Sequence, residues 1–162
     1  FSYTHFVPAI ILKMETKSCI PFNDKFLQSD FLTADSGLFR INSSNNNSML
    51  IDFYYVGCSA CESKFVFLDS LKKAGNGNLD IYRICNGQIT SFEGFRKDVK
   101  SRKSGLNFLF DHKGSIAKNF EHLDRYPYEY LLKPSGEMIG CRVGFSESTL
   151  SAYFNELKDY LK

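Results

Sequence analysis

The chain has 162 residues, 43% hydrophobic and 23% charged, with a formal net charge of +2. At about 150 residues per domain this suits one globular domain, and a balance so close to neutral argues against a dedicated nucleic-acid binder. No run of about 18 uncharged apolar residues is present to cross a membrane as a helix, and no long low-complexity tract points to a disordered or fibrous chain.

Residues 1–25 are read as an irregular N-terminal arm carrying Pro8, Cys19 and Pro21. The chain begins at Phe1 without an initiator Met and is read as a processed or truncated segment. The apolar stretch Phe6 to Leu12 is broken by Pro8 and has no basic region before it, so it is not read as an intact signal peptide. From residue 26 to 162 one domain is expected. Phe31-Leu32, the turn Asp35-Ser36-Gly37 and Leu38 to Ile41 read as a hairpin-like opening. Ser43 to Ser48 is a polar loop, and the Asn-x-Ser sequons at Asn42 and Asn46 are read as part of that solvated segment.

Met49 to Val56 is a near-continuous apolar run interrupted by Asp52, as expected of a strand buried on both faces of a sheet covered by helices. Cys58 to Lys73 reads as a helix with Cys61, Phe65, Leu68 and Leu71 on one face, Lys72 and Lys73 at its negative end, and Gly75 as its C-cap. Leu79 to Cys85 is a second core strand. Thr90-Ser91-Phe92-Glu93 reads as a capping box opening a helix that closes near Arg102. Leu106 to Phe110 is a third strand, and Ser115 to Phe120 a short helix. Tyr128 to Lys133 and Glu137 to Val143 flank a type I turn at Lys133-Pro134-Ser135-Gly136. A last helix from Ser146 carries Leu150, Tyr153, Phe154, Leu157 and Leu161 on one stripe. This order predicts an α/β fold with a mixed central sheet flanked by helices.

The sharpest chemical signal is Cys58-Ser59-Ala60-Cys61, directly after the buried strand and at the first turn of a helix. Unpaired N–H groups and the helix dipole favour negative charge there. A thiol of pKa about 8.5 is only a few per cent thiolate at neutral pH, and lowering it to about 7 makes half of it thiolate. Thiolate is the attacking species in disulfide exchange. Cys61, one turn behind, can close a disulfide on Cys58 and should be the buried, resolving sulfur. The rival readings are half of a zinc site, which lacks a second Cys pair, and two ordinary helix cysteines. Asp52 has two readings: a carboxylate at a solvated strand edge, or a buried acid with raised pKa that takes the Cys61 proton. Local sequence favours a trans turn proline at Pro127. Cys19, Cys85 and Cys141 are read as free thiols, with a pairing of Cys19 as the alternative. The basic run Arg96, Lys97, Lys100, Arg102, Lys103 is read as a solvated helix end.

Ile51-Asp52-Phe53, the Cys58 to Cys61 motif and Tyr126-Pro127 ahead of a strand–turn–strand–helix ending together resemble the thioredoxin fold. The hairpin-like extension at 26–41 and the strand–helix insertion between Leu106 and Phe120 are similar to the TlpA/ResA-type extracytoplasmic thiol–disulfide oxidoreductases. The resemblance implies that Cys58 is the nucleophile, Cys61 its partner in a redox-active disulfide, Asp52 the buried acid and Pro127 a cis-proline. It implies that the backbone of Tyr126 pairs with substrate, beside Gly57. Gly57 stands where thioredoxins usually carry Trp, and Ala60 where many carry Pro. The expected activity is exchange with protein disulfides in the reducing direction, re-supplied by a thiol electron donor, with no metal or organic cofactor. A monomer is expected, in the periplasm or another extracytoplasmic space, anchored through a removed N-terminal segment; the alternative location is the cytoplasm. The rival functions are a thioredoxin-like binding domain with a vestigial dithiol, a cytosolic thioredoxin, and a peroxiredoxin, which needs Thr where Tyr55 stands.

Overall fold

A computed structural model of the chain describes residues 19–41, 46–74, 78–146, 148 and 150–157. The expectations for Pro8, the Asn42 sequon, Gly75 and Leu161 fall outside those residues, as does part of the 43–48 loop.

Seven strands make one mixed sheet. They are β1 (Asp30–Leu32), β2 (Leu38–Arg40), β3 (Ser48–Tyr54), β4 (Leu79–Asn86), β5 (Asn107–Asp111), β6 (Tyr128–Leu132) and β7 (Met138–Val143). Their order is β2-β1-β5-β4-β3-β6-β7. Pairings β5–β4–β3 are parallel, and β6 and β7 add antiparallel beyond β3. The expected hairpin of β1 and β2 sets Phe31 opposite Phe39 and joins the far side of β5. Its turn is held by Thr33 Oγ1, which accepts the Gly37 N–H at 3.1 Å. At the other end Gly136 takes φ +89° after Pro134, as the turn between β6 and β7 requires.

The helices are α1 (Ser59–Ala74), α2 (Phe92–Ser101), α3 (Ser115–Asn119) and α4 (Leu150–Leu157). The buried stripe of α1 is Cys61, Lys64, Phe67, Leu68 and Leu71. Phe65, expected on that face, is only partly buried. Lys64 takes the inward position because buried carboxylates await it there. The cap of α2 lies one residue later than the Thr90 capping box predicts. Ser91 Oγ accepts the Gly94 N–H at 3.0 Å, while Thr90 Oγ1 turns to the Val56 N–H at 3.1 Å. The long-range contact of Thr90 outweighs the local motif.

Alternation along β3 divides the core. Leu50 and Tyr54 face α1 and α4, with Ile81, Cys85, Leu131 and Tyr153. Ile51 and Phe53 face the opposite layer, with Phe26, Phe31, Phe120 and Tyr130. The described residues 19–28 are part of this second layer through Cys19, Ile20, Phe22, Phe26 and Leu27. Asn23 caps a 3-10 helix over Asp24–Gln28, and Phe26 is fully buried, a placement worth about 1.5–3 kcal/mol. The reading of Cys19 and Cys141 as free thiols is corrected: they form a disulfide, Cα–Cα 5.8 Å, across 122 residues of sequence. Nothing local in the sequence signals a partner so distant. The Ile20 N–H donates to Tyr128 Oη at 3.0 Å and its carbonyl accepts from Tyr130 Oη at 2.8 Å, bringing Cys19 to the sheet.

Candidate active site

Tyr54 ends β3, and Tyr55 to Gly57 turn the chain into α1, with Gly57 at φ +93°. Cys58 is the residue that caps the helix. Its carbonyl accepts the Glu62 N–H at 3.1 Å, and its Sγ accepts the Cys61 N–H at 3.2 Å. The sulfur thus occupies the place of a capping oxygen. An N–H donor and the positive end of a helix both favour the thiolate once the pair is reduced. Cys58 and Cys61 form a disulfide with Cα–Cα 5.2 Å. Cys58 is 6% exposed and Cys61 1%, so the first is the more accessible residue of the pair. Among the described residues no group of three or more His, Cys, Asp and Glu side chains is arranged to hold a metal ion.

Asp52 lies on a central strand, and the solvated-edge reading is overturned: it is fully buried. Strand register sets it opposite Arg83 on β4 and Glu129 on β6, and Glu129 is opposite Arg142 on β7. Four charged residues therefore form a row across four strands. Arg83 Nε donates to Asp52 Oδ2 at 2.8 Å, and its Nη2 donates to the Cys61 carbonyl at 3.2 Å. The guanidinium also lies over the Tyr54 ring, 4.3 Å from its centroid. Lys64 descends from α1 onto the row, its Nζ 2.7 Å from Asp52 Oδ1 and 3.1 Å from Glu129 Oε1. Glu129 also accepts from Tyr153 Oη and faces Arg142 at 3.9 Å, and Arg142 pairs with Glu156. Burial pushes the Glu129 carboxyl above the ordinary range, against the pull of Lys64.

The Tyr126-Pro127 bond is cis, against the trans expectation from local sequence and in line with the resemblance. The Pro127 carbonyl accepts the Gly144 N–H at 2.8 Å. Tyr126 packs edge-on against Tyr55, ring centroids 5.5 Å apart, and its Oη accepts from Asn86 Nδ2 at 2.7 Å. Nothing lies within 4 Å of where a Cβ on Gly57 would stand, so that side of the Cys58 loop is open. Cys85 is a buried free thiol, pushed by burial up to about 11. Of the basic run, Arg102 is tied to Glu62 and Asp98 and covers the Phe65 ring at 4.2 Å, and Arg96 pairs with Glu93.

Sequence reasoning named Cys58, Cys61, Asp52, Tyr126, Pro127 and Gly57 as candidates; it did not single out Arg83, Glu129, Lys64 or Asn86, which the structure sets beside them. Arg83 and Glu129 carried the same signal as Asp52, a charge inside an apolar strand. Lys64 stands one helical turn beyond Cys61. Asn86 had no signal.

Solved structures align with most of the chain. A thiol:disulfide interchange protein from Bacteroides sp. is 18% identical, covering 82% of this chain and 84% of its own at TM-score 0.66. The exposed lipoprotein thioredoxin of Streptococcus pneumoniae is also 18% identical, covering 81% and 98% at TM-score 0.66. A secreted Mycobacterium tuberculosis disulfide oxidoreductase is 17% identical, covering 83% and 100% at TM-score 0.64. These likenesses show a thioredoxin-like fold. No protein-family model and no curated protein matches the sequence.

Proposed function

We propose that the chain is a thiol–disulfide oxidoreductase that reduces protein disulfides through Cys58 and Cys61. The observation that carries this reading is the Cys61 N–H donating to Cys58 Sγ at the start of α1, within a cysteine pair bonded across one turn. In the reduced protein the Cys58 thiolate attacks a client disulfide. A Cys58–client bond forms, the client S–S bond breaks, and one client sulfur leaves with the electron pair and takes a proton. Cys61 then gives its proton to Asp52 and attacks Cys58 Sγ, which releases the second client sulfur. Two electrons pass to the client, and a separate thiol donor restores the dithiol. Tyr126 and Pro127, beside the open Gly57, would receive the client segment by its backbone.

Structures of the same fold include proteins described as interchange proteins and disulfide oxidoreductases, some exposed or secreted. We infer the same class of activity here and an extracytoplasmic location. The Cys19–Cys141 bridge supports that location, since such bonds persist in oxidising spaces. We also take the working form to be a monomer.

Insulin reduction by the reduced protein tests this reading. Turnover is expected, with loss in Cys58→Ser and a trapped mixed disulfide in Cys61→Ser. No turnover by the intact dithiol would leave a binding domain with a vestigial pair.

A further inference from the structure

We propose that Glu129, acting through Lys64, is a positioning residue that governs how readily Asp52 accepts the Cys61 proton. The inference rests on the exchange chemistry above and extends it to residues that never touch the sulfurs. Asp52 and Glu129 are directly opposite on adjacent strands, and like charges so placed repel. One ammonium, Lys64, answers both, at 2.7 and 3.1 Å. All three side chains are at least 98% buried, so water screens little of their interaction. What Glu129 draws from Lys64 is withdrawn from Asp52.

The other groups facing this pair are fixed. Arg83 on β4 holds the remaining oxygen of Asp52. Arg142 on β7 stands 3.9 Å from Glu129 and is itself paired with Glu156 on α4, and Tyr153 on α4 donates to Glu129. Burial already holds Glu129 above its usual range. When Glu129 is neutral, Lys64 belongs to Asp52 alone; when it is ionised, the ammonium is shared.

The experiment follows a single step in a pre-formed adduct between Cys58 and an aromatic thiol. The Cys61 sulfur bonds to Cys58 Sγ, the Cys58–aryl disulfide breaks, and the aryl thiolate leaves with the electron pair as a coloured product. Its release is measured across pH in the wild type, Glu129→Gln and Lys64→Met. Glu129→Gln should lower the pH midpoint of the rate, because Lys64 then serves Asp52 alone. Lys64→Met should raise it by about one unit, a tenfold change in proton affinity, because the two carboxylates then face each other without the ammonium that lies between them, Arg83 holding only the far oxygen of Asp52. Glu129→Asp should restore a midpoint near the wild type. Opposite shifts support the proposal, since packing damage alone has no reason to reverse sign between the two variants. Unmoved midpoints, or shifts of the same sign, overturn it.

Should a variant fail to fold, carboxyl NMR of ¹³C-glutamate-labelled wild type replaces it. The Glu129 titration midpoint should differ between the oxidised and reduced protein by at least about threefold in proton affinity; equal midpoints overturn the proposal. Because the adduct needs no protein client, failure of insulin reduction would count against the proposed function alone and leave these midpoints readable.

Discussion

Asn86 Nδ2 donates to Tyr126 Oη at 2.7 Å and so ties the end of β4 to the residue before the cis bond. Asn86 is itself anchored, its Oδ1 accepting the Gln88 N–H at 2.9 Å. The Tyr126 ring thus has an end fixed by Asn86 and a face fixed by Tyr55. Loss of one such hydrogen bond is worth about 1 kcal/mol. Asn86→Leu should therefore raise KM for insulin about fivefold with kcat little changed, and Asn86→Asp, which can accept from the phenol, should recover most of it. A fall in kcat at constant KM would place Asn86 elsewhere in the cycle.

Asp52→Asn should slow resolution of the mixed disulfide by ~10²-fold, the usual scale of a lost general base, and slow its formation much less. Rapid mixing that separates the two steps checks this, and equal slowing of both removes the relay role. The same variant leaves Lys64 and Arg83 without their shared carboxylate. Breaking a buried pair in this way costs about 3–5 kcal/mol, so denaturant unfolding should show a loss of that order.

Cys85 should be silent in the native protein. With burial holding its thiol at about 11, alkylation near pH 8 should label reduced Cys58 and leave Cys85 untouched until denaturant is added. The linkage has a definite sign: the folded thiol binds its proton more tightly than the unfolded one, whose pKa is 9.0. Its contribution to stability is complete below pH 9 and is lost as pH rises toward 11. Cys85→Ala should unfold with a flatter pH dependence in that window, and an unchanged slope would contradict the assignment.

The Cys19–Cys141 bridge should matter to stability and not to chemistry. Replacing both residues with Ser should cost roughly 2–5 kcal/mol by calorimetry or denaturant and leave the rate of Cys58 adduct resolution within about twofold. A matching fall in that rate would mean the bridge shapes the site after all.

The sheet and helices were legible wherever the signal was local. The apolar run of β3, the Asp35-Ser36-Gly37 turn and the Pro134 to Gly136 turn each state their own conformation. So did the dithiol, since its chemistry needs only a strand, a turn and a helix start in sequence. What escaped depended on register between distant strands. Glu129 meets Asp52, and Arg83 meets it from the other side, only because β6 and β4 settle opposite β3 in one alignment. Lys64 turns inward only because those carboxylates are in place beneath it. The cap of α2 slipped for a related reason, because Thr90 serves Val56 rather than its own helix. Cys19 and Cys141 are brought together by the sheet across 122 residues, which no local pattern announces.

The two cystines differ in how much chain they enclose, three positions apart for one and 122 for the other. In the chain-entropy picture, severing the longer loop frees about 3 kcal/mol more disorder in the unfolded polypeptide than severing the shorter. The inner pair can therefore alternate between its two oxidation levels while the architecture stands, and the outer one serves as a permanent fastening. Under the exchange chemistry proposed for this chain, it would be emptied and refilled with electrons many times without being taken apart.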